Sequence, residues 1–207
     1  VGVSGAGVAF AIEGRPIAHV TLSETLRPGA ETIVQALDHL SLSAELLSGD
    51  AERPVHRLAT RLGLPAKARR TPADKIARIR ALQEAGESVL MVGDGLNDAP
   101  SLAAGDVSMA PASACDVGRL AADFVLTKND LSAIPETIEV ARKAERLVTQ
   151  NFGLAIAYNC IAVPLAMAGV VTPLVAAIAM SASSILVVAN SLRLARRPSW
   201  GLERARA

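Results

Sequence analysis

The chain has 207 residues, enough for one or two domains, and its 21 Lys and Arg against 20 Asp and Glu leave a formal net charge of +1. That balance argues against a nucleic-acid binder, which carries a basic excess, and 51% hydrophobic residues exclude disorder, collagen and coiled coil. Two cysteines, Cys115 and Cys160, make neither a disulfide scaffold nor a Cys-rich zinc site. The mean hydropathy of +0.35 is high for a soluble protein and modest for an embedded one, so the apolar residues are concentrated somewhere. The chain begins with Val and shows no signal peptide, which reads as a piece of a longer polypeptide.

Residues 1–23 alternate Gly-rich turns, Gly5-Ala6-Gly7 and Glu13-Gly14, with apolar runs, which predicts strands and turns from the tail of another domain. A helix is expected over 28–40, entered by Pro28. Ala44–Ser48 reads as a strand ending in Gly49-Asp50, and a helix follows at 51–62. Pro72 opens a helix that carries Ile76, Ile79 and Leu82 and runs to Gly86. Ser88–Val92 is a second apolar run ending in Gly93-Asp94-Gly95, and Asp98 stands where it can cap the short helix begun by Pro100. Val107–Ala110 and Phe124–Leu126 are further short strands. Alternation of this kind predicts a parallel, doubly wound sheet with its site at the strand C-termini, where Asp50 and Asp94 would meet. Asp130 or Ser132 starts a long helix resembling a stalk.

From Asn151 to Leu192 there is no Asp, Glu, Lys, Arg or His. A bilayer core takes about 20 apolar residues per helix, so the block predicts two spans, near 153–170 and 174–192, joined by a turn at Gly169–Pro173. Soluble helices normally keep a polar stripe, which weighs against a buried soluble hairpin. Arg142, Lys143 and Arg146 precede the block and Arg193, Arg196 and Arg197 follow it, so both ends, and everything before residue 150, are expected in the cytoplasm.

Gly93-Asp94-Gly95-Leu96-Asn97-Asp98-Ala99-Pro100 is the strongest chemical signal. Glycines let the backbone approach a phosphate, and carboxylates suit a hard cation such as Mg2+, bound together with waters and substrate oxygens. The octapeptide closely resembles the hinge motif of P-type ATPases, in a phosphatase-like domain of the haloacid dehalogenase type. Ser48-Gly49-Asp50 resembles the family's Thr-Gly-Asp, with the hydroxyl retained for a phosphoryl group, and Pro72-Ala73-Asp74-Lys75 resembles the segment carrying its phosphate-binding lysine. Leu26-Arg27-Pro28 resembles the start of the second half of the phosphorylation domain, with Glu24 where Asp is common. Gly5 and Gly7 resemble the glycines that approach ATP, although a plain turn reads the same way.

The resemblance implies a fold class of α/β, a partial haloacid-dehalogenase-like doubly wound parallel sheet followed by a two-helix transmembrane hairpin. It divides the chain into the end of a nucleotide-binding domain with its return strand (1–23), the C-terminal part of a phosphorylation domain (24–130), a stalk (131–152), two membrane helices (153–192) and a cytoplasmic tail (193–207). It implies ATP and Mg2+ as cofactors. Lys75, Asp94, Asn97, Asp98, Ser48, Gly49 and Asp50 become the phosphoryl-transfer residues, with Asp94 on Mg2+. The family's nucleophilic Asp, in Asp-Lys-Thr-Gly-Thr, does not occur; the one Asp-Lys pair is Asp74-Lys75, followed by Ile76. The chain therefore resembles the C-terminal quarter to third of a pump of the inner or plasma membrane, inactive by itself, and its remaining partners would be the upstream chain, the bilayer and a copper chaperone, with no nucleic acid.

A divalent site in lipid would bring a carboxylate, and the block has none. Thioether and thiolate ligands favour Cu(I). Tyr158-Asn159 and Met180-x-x-Ser183-Ser184 resemble the signatures of the copper(I)-transporting heavy-metal subgroup, and the surrounding phrases its nitrogen-fixation and cytochrome-oxidase-assembly branch, which implies Tyr158, Asn159, Met180 and Ser184 along a Cu+ path. Each has a plain alternative: Met180 as a packing residue, the serines as helix-packing small residues, Cys160 as a buried thiol and Cys115 as a structural one. His19, His39 and His56 are scattered and read as ordinary residues. Two other functions compete, a membrane-anchored phosphatase of the dehalogenase type and a non-catalytic protein derived from a pump. The first gives no role to Tyr158, Asn159 or Met180.

Overall fold

The computed structural model describes residues 7–12, 15–21, 25–94 and 96–195. Strands β1 (Gly7–Ile12) and β2 (Arg15–Thr21) pair antiparallel, Val8 opposite Val20, with a register shift between Phe10 and Ala11. Helix α1 (Ala30–His39) starts two residues later than the Pro28 signal, because Pro28-Gly29 is a turn. Gly29 sits at φ +80°, and a Cβ there would lie 2.5 Å from Asp130 Oδ1 and 2.7 Å from the Ser132 backbone nitrogen. Both the left-handed backbone and the close approach require glycine.

The strand expected at 44–48 is only β3 (Leu46–Leu47); it pairs in parallel with β4 (Ala66–Lys67), which no sequence signal marked. Between them, α2 (Glu52–Leu62) buries Val55 and Ala59, one turn apart. It stops at left-handed Gly63, and the next N–H, of Leu64, returns to the Ala59 carbonyl at 3.1 Å. Helix α3 (Pro72–Glu84) is opened by a reciprocal cap. The Thr71 hydroxyl accepts from the Asp74 N–H, the Asp74 carboxylate accepts from the Thr71 N–H, and Pro72 occupies the first turn, where its missing N–H costs nothing. The two hydrogen bonds from Thr71 hold the Asp74 carboxyl below its ordinary pKa.

Strands β5 (Leu90–Val92), β6 (Val107–Ala110) and β7 (Phe124–Val125) form a second parallel set, with Met91 opposite Ser108 and Met109 opposite Phe124. The short helices α4 (Ala99–Leu102) and α5 (Asp116–Ala121) lie in the β5–β6 and β6–β7 connections. The α/β, parallel reading holds. The described parallel strands fall into two sets that do not pair with one another, beside the antiparallel β1–β2 pair. The core lies where α4 meets α3, β5 and β6: Ile79, Leu102, Met109 and Ala110 are at most 2% exposed. Burial of this kind stabilises by about 25 cal/mol per Å² of apolar surface. Ser108 is buried with them, exchanging hydrogen bonds with Asp123.

The chain divides into two units, Val1–Ala133 and Ile134–Ala207. In the second, the expected stalk and first span are one helix, α6 (Ala133–Met167), with Pro164 inside it. Gly169, at φ +73°, makes the turn, and the Thr172 hydroxyl caps α7 (Pro173–Ser191). Among the described residues one helix, Pro173–Ala195, is long and apolar enough by itself to cross a membrane. The apolar part of α6 is shorter, and Asn151, Tyr158 and Asn159 dilute it.

Half-buried positions recur at Asn151, Ala155, Tyr158 and Ala162 on α6 and at Ala179, Ser183, Val187 and Asn190 on α7, one stripe per helix. A polar clamp ties the ends of these stripes: Asn190 Nδ2 donates to Asn151 Oδ1 at 2.9 Å, and Asn151 Nδ2 donates to Ser191 Oγ at 3.0 Å. Cys160 is exposed, which corrects the expectation of a buried thiol; it lies one residue beyond Asn159, off the half-buried stripe. Cys115 is exposed too, at the N-cap of α5, without a side-chain capping bond.

Candidate functional site

The chemistry-bearing residues of the first unit gather at the C-terminal end of β5. Gly93 continues the strand, its N–H donating to the Met109 carbonyl at 3.2 Å, and Asp94 follows with its side chain about half exposed. The chain then makes a 3-10 turn over Leu96–Asp98 into α4. Asp98 stands at the N-cap position of α4, as expected, but makes no side-chain capping bond. Its carboxylate instead accepts from Lys75 Nζ at 2.6 Å, and the two side chains are only 17% and 11% exposed. Lys75 lies in the first turn of α3, fixed by the Thr71–Asp74 cap beside it. Gly93 is needed for this pairing: a Cβ there would lie 2.8 Å from the Asp98 Cβ.

Asp94 is held by two bonds, one of them from an arginine that is itself anchored. Its carbonyl accepts from the Cys115 N–H at 3.3 Å, its carboxylate accepts from Arg27 Nη2, and Arg27 Nη1 donates to Ser113 Oγ at 2.6 Å. The Ser113 N–H donates in turn to Asn129 Oδ1 at 3.0 Å. Sequence reasoning placed Arg27 in a motif but gave it no role, and missed Ser113 and Asn129. Residues 67 and 86 positions apart leave no local signal of their pairing. Asn97 is exposed in the 3-10 turn.

Ser48 and Asp50 form a closed ring: the Ser48 hydroxyl donates to Asp50 Oδ2 at 2.9 Å and accepts from the Asp50 N–H at 3.1 Å. Gly49 lies between them, and a Cβ there would be in ordinary contact with the Arg70 carbonyl at 3.4 Å. Asp50 follows β3 and Asp94 follows β5, and these strands belong to different sets. Gly7 opens β1, and Gly5 lies outside the described residues.

In the second unit the hydrogen bonds described for the residues expected along an ion path are local ones. Asn159 Nδ2 donates to the Ala155 carbonyl at 2.9 Å and Ser184 Oγ to the Met180 carbonyl at 3.1 Å, each within its own helix. Tyr158 is half-buried on its stripe, whereas Asn159, Met180 and Ser184 lie off the stripes and are exposed. Ser183, not Ser184, shares the α7 stripe with Ala179.

Among the described residues no three His, Cys, Asp or Glu side chains cluster as a complete metal cage. Mg2+ does not need one, being held through one or two carboxylates, waters and phosphate oxygens. Asp94 fits that role on an observation of its own: its half-exposed carboxylate already pairs with a cation, the Arg27 guanidinium, which stands in for a metal charge.

Residues 4–106 match the family model of the haloacid dehalogenase-like hydrolases. The chain is 48% identical to the nitrogen fixation protein FixI of Rhizobium leguminosarum bv. viciae, over 95% of this chain and 26% of that protein. It is 37% identical to a probable copper-exporting P-type ATPase V of Mycobacterium tuberculosis, over 89% of this chain and 24% of that one. Among solved structures, a zinc-transporting PIB-type ATPase in its E2.Pi state superposes with a TM-score of 0.80 at 33% identity, over 92% of this chain and 31% of that chain. The chain thus spans about a quarter of the length of the curated relatives it matches.

Proposed function

We propose, from the premise that this chain is a homologue of the heavy-metal P-type ATPases along nearly its whole length, that it is the C-terminal part of an ATP-driven cation pump whose cargo is Cu(I). The observation that carries the phosphoryl-transfer half is the convergence of Asp94, Asp98 and Lys75 at the end of β5. Asp94 supplies the carboxylate for Mg2+, which when bound neutralises phosphoryl charge. Asp98 holds Lys75 by a short, little-exposed ion pair, so its ammonium is pre-aimed at the same strand end rather than searching for it. Gly93 and Asn97 keep the loop open enough for a phosphoryl group to approach. Ser48 contributes its hydroxyl from a turn that its bonds with Asp50 already order.

The two separate strand sets support the same reading. β5 and β3 are short parallel strands that do not pair with one another, and Val92, Phe124 and Val125 of the second set remain exposed. A strand from the remainder of a pump, carrying the nucleophilic Asp this chain lacks, would pair at the free lateral edge of β5. This chain alone is then expected to form no acyl-phosphate. Labelled ATP and Mg2+ followed by acid precipitation test this, and acid-stable, hydroxylamine-sensitive label on the chain would overturn it.

The cargo is argued from the 151–192 block, where a soft sulfur at Met180 and neutral oxygens at Tyr158, Asn159 and Ser184 suit Cu(I), and no carboxylate is present to offset a divalent charge. Met180 and Ser184 share a helix face that the α7 stripe leaves exposed, which suits them to an ion path completed by further helices. In the complete pump Met180→Leu keeps bulk and removes sulfur. ATP turnover measured against free Cu(I) and free Zn2+ in reducing buffer should show Cu(I) stimulation, its impairment in the variant, and none by Zn2+. Equal stimulation by the two ions, or an unaffected variant, would refute the assignment. Both helix ends are proposed to be cytoplasmic and the pump to sit in the inner or plasma membrane, from the Arg and Lys flanks. ATP contact through Gly5 and Gly7 and delivery by a copper chaperone complete the proposal.

A further inference from the structure

Arg27 stands outside every role assigned so far, yet it makes the one side-chain contact described for Asp94. Its guanidinium is used as a two-pronged fork: Nη2 on the Asp94 carboxylate and Nη1 on Ser113 Oγ at 2.6 Å. The base of the fork is fixed. The Arg27 carbonyl accepts from the Ala30 N–H at 3.1 Å, and the Pro28 carbonyl accepts from the Leu131 N–H at 3.0 Å. Gly29, wedged against Asp130 and Ser132, holds the same turn. Ser113 is itself anchored on Asn129. The arginine is therefore delivered to Asp94 by a braced turn, not by a wandering side chain.

Resting on the Mg2+ role given to Asp94 above, we propose that Arg27 is a built-in counter-cation for the Mg2+ carboxylate. It holds Asp94 in place while no divalent ion is bound and leaves Asp94 Oδ2, retained by Ser113, when Mg2+ takes that oxygen. The charges require the exchange, because a guanidinium and a divalent ion on one carboxylate oxygen repel each other. The exposures make it easy. Side-chain exposures of 35% for Arg27 and 49% for Asp94 put the pair in reach of water, where such bonds are weak. A strongly bound arginine would block the site; a screened one orders it and yields. Arg27 is a positioning residue here, since it acts through Asp94.

The test is a calorimetric Mg2+ titration of the complete pump chain in detergent without nucleotide, with the Mg2+-dependent rise in Tm as a second readout. Asp94→Asn should abolish the binding. Arg27→Gln removes the competing charge and should tighten Mg2+ by about two- to fivefold, the range expected for one exposed ion pair. Arg27→Lys keeps a charge and should fall closer to the parent. A merely structural arginine would lower Tm without improving Mg2+ binding. If Mg2+ binding is lost in Asp94→Asn but unchanged or weaker in Arg27→Gln, the counter-cation role fails and the Asp94 role stands. If the parent shows no Asp94-dependent Mg2+ binding, both fail. Should Arg27→Gln not fold, Ser113→Ala removes only the second prong's anchor: a smaller tightening supports the role, and an unchanged or weaker affinity overturns it.

Discussion

The two units hold their candidate residues in opposite ways. In the first, side chains far apart in sequence bond to one another: Lys75 to Asp98, Arg27 to Asp94 and Ser113. In the second, the candidate ligands bond to their own helix, Asn159 to Ala155 and Ser184 to Met180, while Asn151 and Asn190 carry the clamp between α6 and α7. The edge proposed for phosphoryl transfer is therefore cross-linked by side chains of this chain, and the proposed ion path would still need ligands from elsewhere. The difference is physical. An ionic pair on a sheet edge is stabilised once formed, whereas a polar group on a helix facing lipid must be satisfied by its own backbone until a partner arrives.

The contrast predicts where substitutions will hurt most. In the complete pump proposed above, Asp94→Ala should lower ATP turnover on the order of a hundredfold or more, as loss of a group stabilising developing charge does; near-normal turnover would overturn the Mg2+ role proposed for Asp94. Lys75→Met strands the little-exposed Asp98 carboxylate and should cost about 2–3 kcal/mol in denaturant unfolding, as well as activity. An unchanged midpoint would mean the pair is not formed in solution. Gly29→Ala, with nothing chemical removed, should cost about 1–3 kcal/mol through backbone strain and the clash with Ser132. By contrast Met180→Leu, on an exposed helix face, should leave stability within about 0.5 kcal/mol of the parent and change only the response to metal. A large loss of stability would make Met180 a packing residue after all.

The smallest effect concerns pH. The hydrogen bond and charge of Arg78, which grips Glu45 through two bonds, hold the Glu45 carboxyl below its usual 4.5. A depressed folded pKa adds stability that is complete above the unfolded value and is lost as pH falls through the folded one. Glu45→Gln should therefore narrow its stability gap to the parent as pH drops below about 4.5, and a gap independent of pH would remove the ion pair from the account.

Much was legible in the sequence because it is written locally. The helix opened by Pro72, the strand at Val107–Ala110 and the helix that follows Pro173 each depend on residues a few positions apart, and each stands in the structure as expected. The Gly93–Pro100 run was legible for the same reason: a strand end, two glycines and two carboxylates lie within eight residues. Where Asp98 points was not legible. A helix N-cap and a lysine 23 positions upstream compete for the same carboxylate, and the nearly buried ammonium of Lys75 wins, since an unpaired charge there costs more than an uncapped four-residue helix.

The same division runs through the whole molecule. Sequence alone determined the parallel α/β character, the charge-free helical segment and the clustering of glycines and carboxylates over Gly93–Pro100, because period, punctuation and charge are properties of neighbouring residues. Only the tertiary structure decided that the strands form two sets, that stalk and first span are one helix, that Ser183 rather than Ser184 lies on the α7 stripe, and that Arg27 closes on Asp94. Those outcomes depend on which groups distant in sequence reach each other in the folded chain, and no local pattern encodes a distance across the fold.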